Sequence, residues 1–122
     1  MSSRASDKTR AVKLLRKWTK ALELDPPNWT TDINLVPSTE MDGADGSCTW
    51  QGEYREAWID VNEEILGNWE DVEETIVHEL LHLKLQGHQD PEKVLAEYDP
   101  FFENALNVIA RELVKVGRRK AK

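Results

Sequence analysis

The stretch WEDVEETIVHELLHLKLQG, residues 69–87, decides how the chain is read. Val72, Ile76, Leu80 and Leu83 recur at steps of three and four, the spacing of one face of an α-helix. Asn68 stands at the N-cap with Asp71 three residues on, close to a capping box, and Gly87 is the expected C′ stop. Inside this helix lies His78-Glu79-Leu80-Leu81-His82. Residues four apart lie one above the other on a helix, so His78 and His82 are placed to share one ion through bonds of about 2.0–2.1 Å. Glu79 lies about 100° around the helix from His78. From there it reaches a water on that ion without taking a ligand position, as a general base requires. The chain has three histidines, and the last, His88, follows just past the helix.

Working outward, residues 7–23 read as an amphipathic helix capped by Ser6 or Asp7, with Ala11, Leu14, Leu15, Trp18, Ala21 and Leu22 at helical spacing. Asp25-Pro26-Pro27 ends it. In residues 29–36, Trp29, Thr31, Ile33 and Leu35 alternate with polar residues, which predicts a half-buried strand. Residues 38–47 are a loop, its Asp42-Gly43 and Asp45-Gly46 pairs marking tight turns. Two more short strands are expected at 48–54 and 55–62, the latter with Ala57, Ile59 and Val61 on one face. Trp18, Trp29 and Trp58 are expected in the core, and Trp50 and Trp69 half exposed. Beyond the central helix, Asp90-Pro91 and Asp99-Pro100 each set a capping acid before an N1 proline. They predict a short helix near 91–97 and a longer one from 100, whose inward positions are Phe102, Leu106, Ile109, Leu113 and Val116. Gly117 and a fraying basic tail, about 117–122, should end that helix.

The whole is one domain of 122 residues, 1–122, in the α+β class: an N-terminal helix, a three-stranded mainly antiparallel sheet, the histidine-bearing helix and C-terminal helices. Apolar runs of two or three residues exclude a membrane span. The start MSSRASDKTR lacks the apolar core of a secretory signal, and the single cysteine, Cys48, has no internal partner. A reducing cytoplasm is therefore the expected setting. The net charge of −7 is uneven: residues 1–24 and 111–122 each carry +5, and 25–110 carry −17. The basic ends are expected to pack near the acidic middle. They also admit a nucleic-acid surface, which ranks below a peptide or protein substrate because the chain as a whole repels phosphate.

At HELLH the sequence resembles the zincin metallopeptidases. That resemblance implies zinc-dependent hydrolysis of peptide bonds, with the helix packed on a small sheet whose edge strand holds the substrate as an added strand. REAWIDVN, residues 55–62, is then the candidate edge strand. A catalytic zinc keeps three protein ligands and one open position, and three residues compete for the third place beside His78 and His82. His88 has the spacing of the metzincins, HExxHxxGxxH, but Leu85 stands where that pattern has glycine. With the helix running through Gln86, His88 lies about 15 Å along the axis from His78. Glu97 and Glu103 fit the gluzincins, which take a glutamate from a later helix. Small metallopeptidase-like proteins of bacteriophages and prophages are similar over roughly residues 29–116, through strand, HELLHL, turn and a helix of the form E-x-x-[apolar]-N-x-[apolar]-A-x-x-L. Here that helix begins at Glu103, which this resemblance makes the third ligand. The expected site is therefore Glu79 as base with Zn2+ on His78, His82 and Glu103, and His88 as the alternative. In some zincins a tyrosine or histidine steadies the oxyanion, and the resemblance makes Tyr98 or Tyr54 the candidate for that part here. Two rival readings remain. One is a zinc-containing, non-catalytic phage binding or regulatory module. The other is an endoribonuclease using three histidines at H-x3-H-x5-H spacing, though that motif has glycine where this chain has Glu79. The SprT-like peptidases, which act near DNA, are a related reading that the basic ends suggest. The pattern fixes no oligomeric state.

Overall fold

The computed structural model describes residues 4–120. Its elements are α1 Arg4–Ala21, β1 Thr30–Val36, β2 Gly46–Gln51, β3 Glu56–Asn62, α2 Trp69–Gln86, α3 Pro91–Ala96 and α4 Pro100–Lys120. This is the expected α+β class. The sheet, however, is mixed rather than mainly antiparallel: β3 is central, parallel to β1 and antiparallel to β2. REAWIDVN is therefore not an edge strand. Ala57, Ile59 and Val61 are 1 %, 0 % and 0 % exposed, a degree of burial that needs neighbours on both sides. The tight turn at 52–55, with Arg55 at φ 56°, folds β3 back along β2 into the slot beside β1.

Ile33 pairs with Ile59, Leu35 with Val61, Cys48 with Ile59 and Trp50 with Ala57, which makes one inward row across the sheet. α1 and α2 pack on that face, and α4 packs on α2. The opposite face carries Asp32, Asn34, Thr49 and Gln51, all exposed. Trp50 and Trp58 exchange their expected roles for this reason. Trp50 shares the inward row with small Ala57 and is buried, its Nε1 donating to the Gln89 carbonyl at 2.9 Å. Trp58 belongs to the outward row and is only half-buried.

Both ends of α2 are set by single residues. The Asn68 side chain accepts from the N–H groups of Glu70 and Asp71. Gly87 closes the helix at φ −63°, not in the left-handed conformation usual for a C′ glycine. Glycine is required there by space: a Cβ would lie 2.5 Å from the Leu83 carbonyl oxygen and 3.0 Å from the Trp29 ring.

The outer helices depart from their expected limits. α1 already includes Arg4, so Ser6 and Asp7 lie within it. In α4 the buried positions are Leu106, Ala110 and Val114, whereas Ile109 and Val116 are exposed. α4 meets α2 along this four-residue ridge, with alanine at its centre. α4 also continues through Gly117 to Lys120 instead of stopping there; residues 121–122 lie outside the described residues. Two contacts hold this last turn. Gly117 lies close to the Trp18 ring, and Arg118 donates to Glu73 Oε1 at 3.1 Å.

Glu73 is the point at which the basic ends meet the acidic middle. It is 3 % exposed and its Oε2 accepts from Trp18 Nε1 at 2.7 Å and Lys17 Nζ at 3.0 Å. A buried carboxylate persists only when paired in this way. Glu73→Ala strands the buried Trp18 N–H and frees the half-exposed Lys17 and Arg118. Urea denaturation should show a loss of about 2–3 kcal/mol, against less than about 1 kcal/mol for Lys17→Ala alone. Equal effects from the two variants would mean that Glu73 does not organise the three helices.

Candidate metal centre

The histidines come from the middle of α2 and the third group from the start of α4. Pro100 and Asp99 fix that start, the Asp99 carboxylate accepting from the Phe101 N–H at 3.0 Å. This places Glu103 in the first turn, above the His78–His82 face. One ligand atom from each of His78, His82 and Glu103 lies within 4.8 Å of the others. Glu103 Oε1 is 3.4 Å from His78 Nε2, close to the spacing of about 3.3 Å between ligand atoms on a tetrahedral zinc.

The contact with His82 tests the fit more sharply. Its Nδ1 lies 2.6 Å from Gln86 Oε1, one turn along α2. An amide oxygen only accepts, so this contact fits an Nδ1–H donating to Gln86. His82 Nε2 is 2.7 Å from Glu103 Oε2, a contact that a ring proton makes an ion pair and that a metal ion shared with His78 would equally satisfy. Two imidazoles and a carboxylate suit zinc, and Gln86 supplies the orienting contact that metal-binding histidines normally have. Gln86 was not among the residues singled out from the sequence, although its place four residues after His82 is the signal that finds it.

Glu79 stays outside this ligand set. Its Oε2 is 3.9 Å from His78 Nε2, and among the described residues its carboxylate has no hydrogen bond. Burial, and then the Glu103 charge, push its pKa up to about 8. Burial lowers that of His78, with Glu103 pulling the other way. What sets Glu79 beside the sheet is Gly46. A Cβ there would lie 2.5 Å from Thr75 Cγ2 and 3.4 Å from Glu79 Cγ. Gly46 had been read as a turn glycine, but it opens β2, and a glycine in a strand marks a close approach of this kind.

The other expected residues go elsewhere. His88 is exposed in a groove with Gly52 and Gly87, away from the cluster. The three-histidine arrangement therefore lacks its third member. Glu97 ends α3 and lines a cavity beside the site without joining the ligand set. Tyr54 is exposed near His88, whereas Tyr98 borders the cavities on both sides of Glu79. Cys48 lines the cavity beside Glu79, and burial raises its thiol pKa.

No known protein family, curated protein or solved structure matched the chain in comparisons of all three kinds.

The Glu79 shift gives a pH dependence of known sign. Its folded pKa of about 8 exceeds the ordinary 4.5. The stability contributed by the neutral acid is thus complete below about 4.5 and lost as pH rises towards 8. His78, with a lowered pKa, acts in the opposite sense at the acid end of that window. In metal-free protein the melting temperature of Glu79→Gln, relative to wild type, should climb between about pH 6.5 and pH 8. A constant difference would contradict the assignment.

Proposed function

We propose that this chain is a zinc-dependent peptide hydrolase of the zincin kind, with a gluzincin-type ligand set. One observation carries this reading: ring nitrogens of His78 and His82 and a carboxylate oxygen of Glu103 lie within 4.8 Å of one another, beside the buried Glu79. His78, His82 and Glu103 would hold the metal, and that set leaves a position open. A bound zinc supplies Lewis acidity, both to a water and to a substrate carbonyl. Glu79 then accepts a proton from the attacking water at its carboxylate and delivers it to the departing amine. A structural zinc site would be closed by a fourth protein ligand, and among the described residues the cluster has three.

The fold supports the same reading. β2 is an edge strand next to Glu79, the place where zincins hold substrate as an added strand, so β2 takes the part expected of residues 55–62. Among the described residues no helix is long and apolar enough to cross a membrane.

Elemental analysis of purified protein should find about one zinc per chain. His78→Ala, His82→Ala and Glu103→Ala should lose it, and His88→Ala should keep it. Glu79→Gln should retain zinc and lose peptidase activity by about 10²–10⁴-fold. Zinc retained by Glu103→Ala and lost by His88→Ala would overturn the ligand set. Stoichiometric zinc with no cleavage of a diverse peptide library would instead favour the non-catalytic binding module.

A further inference from the structure

Two cavities flank the proposed catalytic centre and meet at Gly46, Glu79, Tyr98 and Glu103, the first lying along β2 and the second at its start. The first, about 410 Å³, is walled mainly by Trp50, Val94, Leu95 and Phe102, with Glu97 and Asp99 also lining it. Leu95 is 79 % exposed at its mouth. The second, about 650 Å³, is walled by Asp45, Asp71, Glu74 and Asn104, with Arg111 as its one cationic residue. Burial, then the charges of Glu70 and Asp71, hold Glu74 above the usual carboxylate range in spite of Arg111 and Lys115. That wall is short of positive charge.

Among the described residues the outer edge of β2 has no strand paired to it. The Asn62 N–H bonds the Asp45 carbonyl at 2.8 Å. Bonding alternates along an antiparallel ladder, so Asp45, Ser47 and Thr49 turn their backbone groups towards β3. Gly46, Cys48 and Trp50 then turn theirs outwards, into the groove. Glu79 stands where the two cavities meet: its side chain is 11 % exposed, lies 3.9 Å from His78 Nε2 and borders both cavities.

We infer that the groove selects an extended peptide with a bulky apolar residue on the N-terminal side of the scissile bond and a lysine or arginine on its C-terminal side. The order follows from strand direction. β2 runs from Gly46, beside the acidic cavity, to Trp50, beside the apolar one. An added strand pairs best antiparallel, so it enters at Trp50 and leaves at Gly46. Its apolar side chain fills the cavity under Leu95, and its cation meets Asp71 and Glu74. This inference rests on the peptide-hydrolase reading.

The test uses fluorescent peptides of three designs: apolar then basic, basic then apolar, and apolar then acidic. Their binding to zinc-loaded Glu79→Gln is read by anisotropy, and their cleavage by zinc-loaded wild type by mass spectrometry. The first design should bind best. Asp71→Asn with Glu74→Gln should weaken it about fivefold without affecting the acidic design in the same direction. Leu95→Asp should weaken every design with an apolar residue at the N-terminal side. Cleavage without preference among the designs would overturn the inference and leave the hydrolase reading standing. Ordered binding without any cleavage would uphold the groove's selectivity and remove the hydrolase reading. No ordered binding overturns the inference whatever the cleavage result.

Discussion

Glu73 lies about one and a half turns before His78 on α2, and its carboxylate accepts from Lys17 and Trp18 of α1 and from Arg118 of α4. A carboxylate buried to this extent must be satisfied on both oxygens, so three helices are held in one register. The Leu106–Ala110–Val114 ridge completes the seating of α4 on α2. Arg118 ties the C-terminal end of α4 and its ridge packs on α2, an arrangement that sets Glu103 against the two histidines.

The sheet imposes the second constraint. β3 occupies the centre because its inward row is too apolar to lie at an edge, and β2 is displaced to the outside. β2 then approaches α2 at Gly46, where no side chain stands between strand and helix. Glu79 is buried by that approach and has no hydrogen bond among the described residues, with His78 Nε2 3.9 Å away. A group in this state is costly to a folded protein, and such costs concentrate where chemistry is done.

The charge distribution gains a structural meaning in this arrangement. The basic segments at the two ends of the chain are drawn together, and each contributes a donor to Glu73. The acids of the middle divide differently. Some are solvated, but Asp71 and Glu74 gather along one wall of the groove beside a single guanidinium. The net charge of −7 by itself shows none of this.

The sequence by itself determined the elements and half of the site. Helical spacing and the Asn68 cap define α2, and the four-residue step of His78 and His82 puts both on one face whatever surrounds it, because these are properties of a single helix. The alternation of Ala57, Ile59 and Val61 likewise marked β3 as a strand. Only the tertiary structure decided what depends on neighbours. Strand order was hidden because alternation tells which face is buried and not which strand is central. Trp50 and Trp58 were exchanged for the same reason. The third member of the cluster lay among fourteen glutamates, and distance along the chain separates Glu97 from Glu103 only weakly. The packing of α4 on α2 separates them fully, since it sets one of them 2.7 Å from His82 and leaves the other at the end of α3. His88 fits a metal spacing on paper, but α2 stays helical to Gln86 and carries it past the site.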